Sequence, residues 1–322
     1  MSNKIKLGFW GSNGHQLHNS LDNYPEVELC IVGALSEGIE TLLLKKYPDV
    51  VVCNDYDEFL KLSGLELISL CAPMRVEQPD LAIKALRAGI NVYAEKPSAL
   101  TTNKLDELVK VAKESHAIYH EMAGTVFANP YWKMKEIVES GEVGKIVQVF
   151  AQKSYPNTGS RPTSELKDGG LIEQNGVHAL RFIEHITGLQ CETISAIETP
   201  LGDYRENSDL QIASSMMGTL ENGGIFTVIA NYLNQPGFGQ WGNEHVRIFG
   251  TDGFVESVDG GTKTRLVVGD KDFGAIDTSE EPPDWFTLVL RNIVGDEMQF
   301  DLEKELHPTR MVVKAKEKVN RN

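Results

Sequence analysis

Two short segments of this 322-residue chain carry residue types able to do chemistry. The first is Tyr93-Ala94-Glu95-Lys96-Pro97. It closes a strand-like run, residues 90–94, which follows a helix-like run, residues 80–88, stopped by Gly89. Lys96 thus stands at the carboxyl end of a strand, the edge at which open parallel sheets take ligands. Its ammonium can steady negative charge developing on an oxygen. Pro97 fixes the backbone just after it and removes a donor. Taken alone, the string reads equally well as a surface Glu-Lys pair ending a strand.

The second segment is Gly11-Ser12-Asn13-Gly14-His15-Gln16, directly after the first strand-like run. A dinucleotide fingerprint reads G-x-G-x-x-G. Gly11 keeps the first position, Asn13 takes the second and Gln16 the third. Asparagine tolerates positive φ better than most residues, so Asn13 is expected to make the turn. Gln16 is expected to hold the following helix further from the strand than glycine does. NAD calls for an acid at the end of the second strand, to accept from the ribose hydroxyls. The chain reads Val32-Gly33-Ala34-Leu35-Ser36-Glu37 there, with no acid at the expected place and no arginine for a 2′-phosphate. Ser36 or Glu37 is left to reach the ribose, and the choice between NAD and NADP stays open.

These segments need elements to hold them. Residues 4–122 alternate strand-like runs (5–10, 27–34, 50–53, 65–72, 90–94 and 117–122) with helix-like ones such as 37–46 and 103–114. Such alternation implies a parallel sheet with helices on both faces. Right-handed crossovers leave a doubly wound, Rossmann-type sheet. The pattern changes near Gly124. One helix, residues 130–140, precedes a region of strands, with Glu221-Asn222-Gly223-Gly224 as a hairpin signal. The fold class is therefore α/β. A dinucleotide-binding domain, residues 1–122, precedes an α+β domain, residues 123–322, with an open, mostly antiparallel sheet for substrate and oligomerisation.

Composition narrows the function. A net charge of −15 argues against nucleic-acid phosphates and anionic membrane surfaces as partners. Cys30, Cys53, Cys71 and Cys191 are far apart and form no CxxC pair. Residues 1–4 run straight into a strand, so no leader is expected, and a cytoplasmic protein is read. His116 and His120 lie four apart in a strand-like run, roughly 13 Å at strand spacing, too far for one zinc. No metal site is expected.

The order of motifs carries a resemblance. After the glycine loop come Ala72-Pro73, the run Ala85 to Pro97, Asn129-Pro130, Ser140-Gly141-Glu142-Val143-Gly144, Gly176-Val177-His178-Ala179-Leu180 and Ile248-Phe249-Gly250-Thr251-Asp252-Gly253. The chain resembles the glucose–fructose oxidoreductase / inositol dehydrogenase (Gfo/Idh/MocA) family to about residue 300. The resemblance implies a hydride transfer between NAD or NADP and a secondary alcohol of a sugar, polyol or derivative. It maps the lysine that touches nicotinamide ribose and substrate to Lys96, and the acid/base histidine to His178. Gln174 stands where the family carries aspartate and is left to orient the substrate. Gly11, Ser12, Asn13, Gly14, Ser36, Ala72, Pro73, Glu95 and Lys96 are the expected cofactor residues. Tyr155, Asn175, His178 and Arg181 join Lys96 as the expected substrate residues. The family's arginine before Asn129-Pro130 is replaced by Thr125-Val126-Phe127, and its later histidine falls near Gln78.

Alcohol oxidation needs a base for the hydroxyl proton as the hydride leaves. Histidine suits this because it titrates near neutrality. Arg181 reads either as a partner for a carboxylate or phosphate, or as an exposed arginine paired with Glu184 or Glu139. A homodimer or homotetramer through the sheet is expected. Two other readings remain: a non-catalytic nucleotide or sugar sensor, and NAD-dependent glycoside cleavage.

Overall fold

The computed structural model describes residues 4–159, 161–298 and 300–319; residues 1–3, on which the reading of no leader rests, lie outside them. The chain forms two compact units. Residues 1–122, 166–168 and 286–306 make the first, and the rest makes the second. A single cut after residue 122 therefore misses two returns of the chain.

The first unit holds strands Ile5–Trp10 (β1), Val27–Gly33 (β2), Val51–Val52 (β3), Leu67–Leu70 (β4), Asn91–Ala94 (β5) and Tyr119–Glu121 (β6). Between them run helices Glu37–Lys46 (α1), Tyr56–Phe59 (α2), Gln78–Arg87 (α3) and Thr102–Glu114 (α4). The sheet is parallel, in the order β3-β2-β1-β4-β5-β6. Its order reverses between β1 and β4, and such a switch point opens a ligand crevice at the strands' carboxyl ends. All four residues of β4 are buried, as strands covered on both faces require. The Thr101 hydroxyl caps α4 by accepting from Lys104 N at 3.3 Å. Leu105, Leu108 and Ala112 then fall on one face and enter the core with Leu86 and Val92.

The helix expected after the glycine loop does not form. Residues Leu17–Asn19 and Leu21–Asn23 make two 3-10 turns instead. The stretch is rich in Asn, Ser and Asp, whose side chains compete for local backbone groups. Ser20 Oγ donates to Leu17 O at 3.3 Å in that way. Pro25 follows and lacks a helical donor.

In the second unit Tyr131–Glu139 (α5) leads to Ile146–Ser154 (β7), a π-helical turn Leu171–Gly176 and Val177–Thr187 (α6). Seven strands follow: Ser195–Thr199 (β8), Ala213–Thr219 (β9), Ile225–Asn231 (β10), Asn243–Gly250 (β11), Gly253–Val258 (β12), Lys263–Val268 (β13) and Lys271–Gly274 (β14). The sheet order is β14-β13-β12-β11-β7-β10-β9-β8, with β7 and β10 parallel and every other pair antiparallel. Leu220 N donates to Gly224 O at 2.8 Å and closes the expected hairpin between β9 and β10. Alternation along the strands separates two faces. Val149, Ala151, Phe226, Val228, Val246 and Ile248 are buried. Ile225 and Met217, on the other face, are 48% and 62% exposed.

Trp285–Ile293 (α7) and Leu302–Val319 (α8) end the chain, and residues 286–306 return to the first unit. His120 of β6 is the anchor of that return. Its Nδ1 lies 2.7 Å from Glu305 Oε2 and its Nε2 3.0 Å from Asn292 Oδ1. Asn292 Nδ2 donates to Asp296 O at 2.6 Å, which orients the amide with its oxygen on the ring. Both ring nitrogens thus face acceptors, and the imidazolium alone satisfies both. Burial would lower the His120 pKa, but the Glu305 charge and the two hydrogen bonds outweigh it and raise it. A raised folded pKa adds stability that is complete below the unfolded value of about 6.5 and is lost as pH rises through the folded value. Thermal unfolding of wild type and His120→Gln from pH 5.5 to 9 is the check. The advantage of wild type is expected to shrink by roughly 2–4 °C toward the alkaline end; a pH-independent gap excludes the charged form.

Candidate functional site

The candidate cofactor residues belong to the first unit, at the carboxyl ends of β1, β4 and β5. Gly11 turns the chain with φ 74° and donates its N–H to Gly33 O at 2.9 Å. A Cβ on Gly11 would lie 2.0 Å from the Cys71 carbonyl oxygen, so only glycine fits there. Gly14, with φ 131°, packs so that a Cβ would lie 2.4 Å from Glu95 Oε2. Asn13 does not take the positive φ expected of it. Its amide donates to Pro73 O at 3.2 Å and to Lys167 O at 2.5 Å, stitching the loop to the chain after β4.

Gln16 has no helix to hold away. Its buried carboxamide donates to Gly11 O at 2.9 Å and Ser69 O at 3.1 Å, and accepts from Ser69 Oγ at 2.6 Å and Leu17 N at 3.0 Å. It fills the place of the third glycine with a fully bonded side chain. Ser12 Oγ accepts from Ser36 N at 3.0 Å, which draws the exposed N-cap of α1 toward the loop. Ala72 is buried and Pro73 exposed just beyond β4.

Glu95 joins the loop to Lys96. Its carboxylate accepts from His15 N at 2.5 Å, from His15 Nδ1 at 2.8 Å and from Lys96 N at 3.0 Å. Lys96 Nζ lies 3.9 Å away on a side chain only 1% exposed. Burial pushes the Glu95 carboxyl up, but His15, Lys96 and Arg75 together hold it well below the usual carboxylate range. Arg75 and Gln78 were not among the expected residues. Arg75 Nη2 donates to Asn13 O at 2.6 Å, and its Nη1 bonds Gln78 Oε1. Gln78 Oε1 also accepts from Ala72 N at 3.3 Å, and its Nε2 reaches the carbonyls of Glu95 and Pro97. The only sequence signal for Gln78 was its place near the family's histidine.

The residues fit a dinucleotide. The loop stands at the switch point, and two positive-φ glycines let backbone approach a pyrophosphate. What it lacks is the helix whose dipole ordinarily faces the phosphates.

Most of the candidate substrate residues belong to the second unit. His178 is the second residue of α6 and is 9% exposed. Its Nδ1 lies 2.7 Å from Thr125 Oγ1, and its ring stands edge-on to Tyr155 at 6.5 Å. Tyr155 extends β7, its N–H donating to Asn231 O at 3.0 Å. Gln174 lies in the π-helical turn, its Oε1 3.5 Å from the Tyr232 hydroxyl. Nothing in the sequence marks Tyr232 for this place, and Thr125 is marked only by standing where the family carries arginine.

One expected substrate residue serves the fold instead. Asn175 is fully buried, and its amide donates to Lys153 O and Asn231 O, each at 3.2 Å, tying the turn to β7 and β10. Arg181 is 0% exposed rather than on the surface. Glu173 does not replace the missing aspartate. It is 3% exposed, and burial drives its pKa up, with Lys316 only partly opposing.

Comparison with known proteins gives the family. Residues 7–122 match the oxidoreductase family with an NAD-binding Rossmann fold, and residues 131–256 match the GFO/IDH/MocA C-terminal domain. D-glucoside 3-dehydrogenase of Escherichia coli is 26% identical over 57% of this chain and 56% of its own length. 2,7-anhydro-N-acetylneuraminate hydratase of Mediterraneibacter gnavus is 23% identical over 76% of this chain and 72% of its own. The chain spans about half the length of the first curated relatives it matches. The fold is also that of GenD2 from gentamicin A biosynthesis in complex with NAD, with TM-score 0.78, 18% identity, and 99% and 95% of the two chains covered. With both of its domains matched, the chain belongs to the GFO/IDH/MocA oxidoreductase family.

Proposed function

We propose that this protein is an NAD(P)-dependent dehydrogenase or reductase acting on a secondary alcohol of a sugar, polyol or sugar derivative. The observation that carries the reading is His178, at the start of α6, held by Thr125 on one ring nitrogen. When Thr125 accepts from Nδ1–H, the tautomer that results has a basic Nε2. His178 then takes the hydroxyl proton at Nε2 while the carbinol hydrogen leaves with its electron pair. The bound nicotinamide supplies the hydride acceptor. Lys96 steadies the oxygen as it loses its proton, and Gln174 orients the sugar through neutral hydrogen bonds. The relatives named for a glucoside and a sialic-acid derivative support a sugar-like substrate.

Nucleotide binding is tested without a substrate. Trp10 ends β1 and packs against Gly33, beside the loop. Titration with NADH or NADPH is expected to change tryptophan fluorescence, and Gly14→Val is expected to abolish the response. A folded wild-type protein that answers neither nucleotide favours the sugar-sensor reading.

Catalysis is tested on a verified substrate. His178→Ala is expected to lower turnover by roughly 10²–10⁴-fold, the scale of a lost acid/base, with nucleotide affinity little changed. Thr125→Val is expected to lower turnover by roughly tenfold, the scale of one lost orienting hydrogen bond, with less effect on KM. Lys96→Ala is expected to damage turnover and nucleotide binding together. Intact turnover in His178→Ala removes it as the base.

The second unit also points to self-association. Ile197, Met217 and Ile225, on strands β8 to β10, are 73%, 62% and 48% exposed on one sheet face. A second copy laid on that face buries this apolar surface. Sedimentation is expected to give a dimer or tetramer at micromolar concentration, with Met217→Glu shifting it toward monomer; a wild-type monomer excludes this interface.

A further inference from the structure

Two tyrosine rings of the second unit hold one guanidinium. Arg161 Cζ lies 4.2 Å from the ring centre of Tyr232 and 5.5 Å from that of Tyr155. The same rings border the candidate site. Tyr155 stands 6.5 Å from the His178 ring, and the Tyr232 hydroxyl 3.5 Å from Gln174 Oε1. Arg161 is thus one ring away from both His178 and Gln174.

Its charge is left open while its basic neighbours are neutralised. Lys153, over Tyr155 at 5.1 Å, is paired with Glu244. Arg205 takes Asp203 with two nitrogens, at 2.8 Å and 3.0 Å, and Ser208 Oγ adds a third bond to that acid at 2.5 Å. The remaining Arg205 nitrogen, Nη1, donates to the Arg161 carbonyl at 2.6 Å. The acid of this loop is therefore committed to Arg205, which pins the backbone of Arg161. Among the described residues, Arg161 makes no ion pair. Its guanidinium is half-buried and stacked, with its in-plane N–H edge unclaimed by any carboxylate. A planar fork fixed in advance matches a planar carboxylate, because little entropy is lost when the pair forms. One positive charge balances one carboxylate; a phosphate dianion needs a second cation, and Lys153 is already engaged.

We infer that Arg161, carried on the Tyr155 and Tyr232 rings, binds the carboxylate of a sugar acid whose secondary alcohol is presented to His178. The inference rests on the oxidoreductase reading above and names the substrate class for it.

The test uses matched pairs: methyl glucoside with methyl glucuronide, and neutral aldoses with their uronic acids, each at fixed NAD or NADP. Wild type is expected to favour the acid in kcat/KM by roughly 10- to 100-fold, the scale of a charged hydrogen bond. Arg161→Gln is expected to bring the ratio near one, and Arg161→Lys to leave an intermediate ratio, which a misfolded protein does not give. Binding is read separately through Trp241, whose ring lies 6.2 Å from Tyr155. Tighter binding of the acid to wild type and His178→Ala, lost in Arg161→Gln, upholds the subsite even where no sugar is oxidised; the redox reading alone then falls. Equal ratios in wild type and Arg161→Gln, absence of preference across the panel, or tighter binding of the matching sugar phosphate overturns the inference.

Discussion

A carboxylate removed from water must have its charge met by donors and cations, or it protonates. Glu95 is that group in the first unit, and most of the cofactor half is arranged around it. Its oxygens take backbone N–H groups from both His15 and Lys96, so the ends of β1 and β5 share one anion. Arg75 adds charge from beyond β4 and passes through Gln78 to the backbone of the Glu95–Pro97 segment. Gly14 has no side chain because the carboxylate occupies its space. Arg75 Nε is left buried without a partner, but the Glu95 carboxylate itself is met by three donors, and a satisfied buried charge favours a single arrangement. The loop therefore keeps its shape without the helix that usually follows it.

The second unit solves a different problem, how to hold a histidine rigidly at the start of a helix. The π-helical turn widens the chain just before α6, a device found often at functional sites. Asn175 ties that turn to two parallel strands, and Thr125 grips the imidazole. Both set where His178 can act. Precision in an active group comes from such supporting bonds.

Charge is distributed unevenly in a manner that suits the proposed chemistry. The chain carries a net −15, but the acids near the tyrosine pair are spent on Arg205 and Lys153. A local positive charge on an acidic protein can attract a small anion while the whole surface repels polyanions. The aspartate missing at position 174 fits the same pattern, since Gln174 adds no negative charge beside an incoming carboxylate.

The alternation of strands and helices, the hairpin at Glu221–Gly224 and the places of Gly11, Lys96 and His178 were legible in the sequence, because periodicity and turn chemistry are local. The sequence also determined the family, through motifs whose order survives at low identity. Local reading failed where long-range bonds decide. Gln16 and Asn13 were judged by their backbone tolerance, but their amides find Ser69 and Lys167, over fifty and over one hundred and fifty residues away. Asn175 shares a helical neighbourhood with His178, yet its amide is bonded to the backbone of Lys153 and Asn231. Arg161 stood in an irregular loop with no periodic signal at all. Only the tertiary structure set it on two rings from different strands and gave its acid to Arg205, because which charge stays unpaired depends on every neighbour at once.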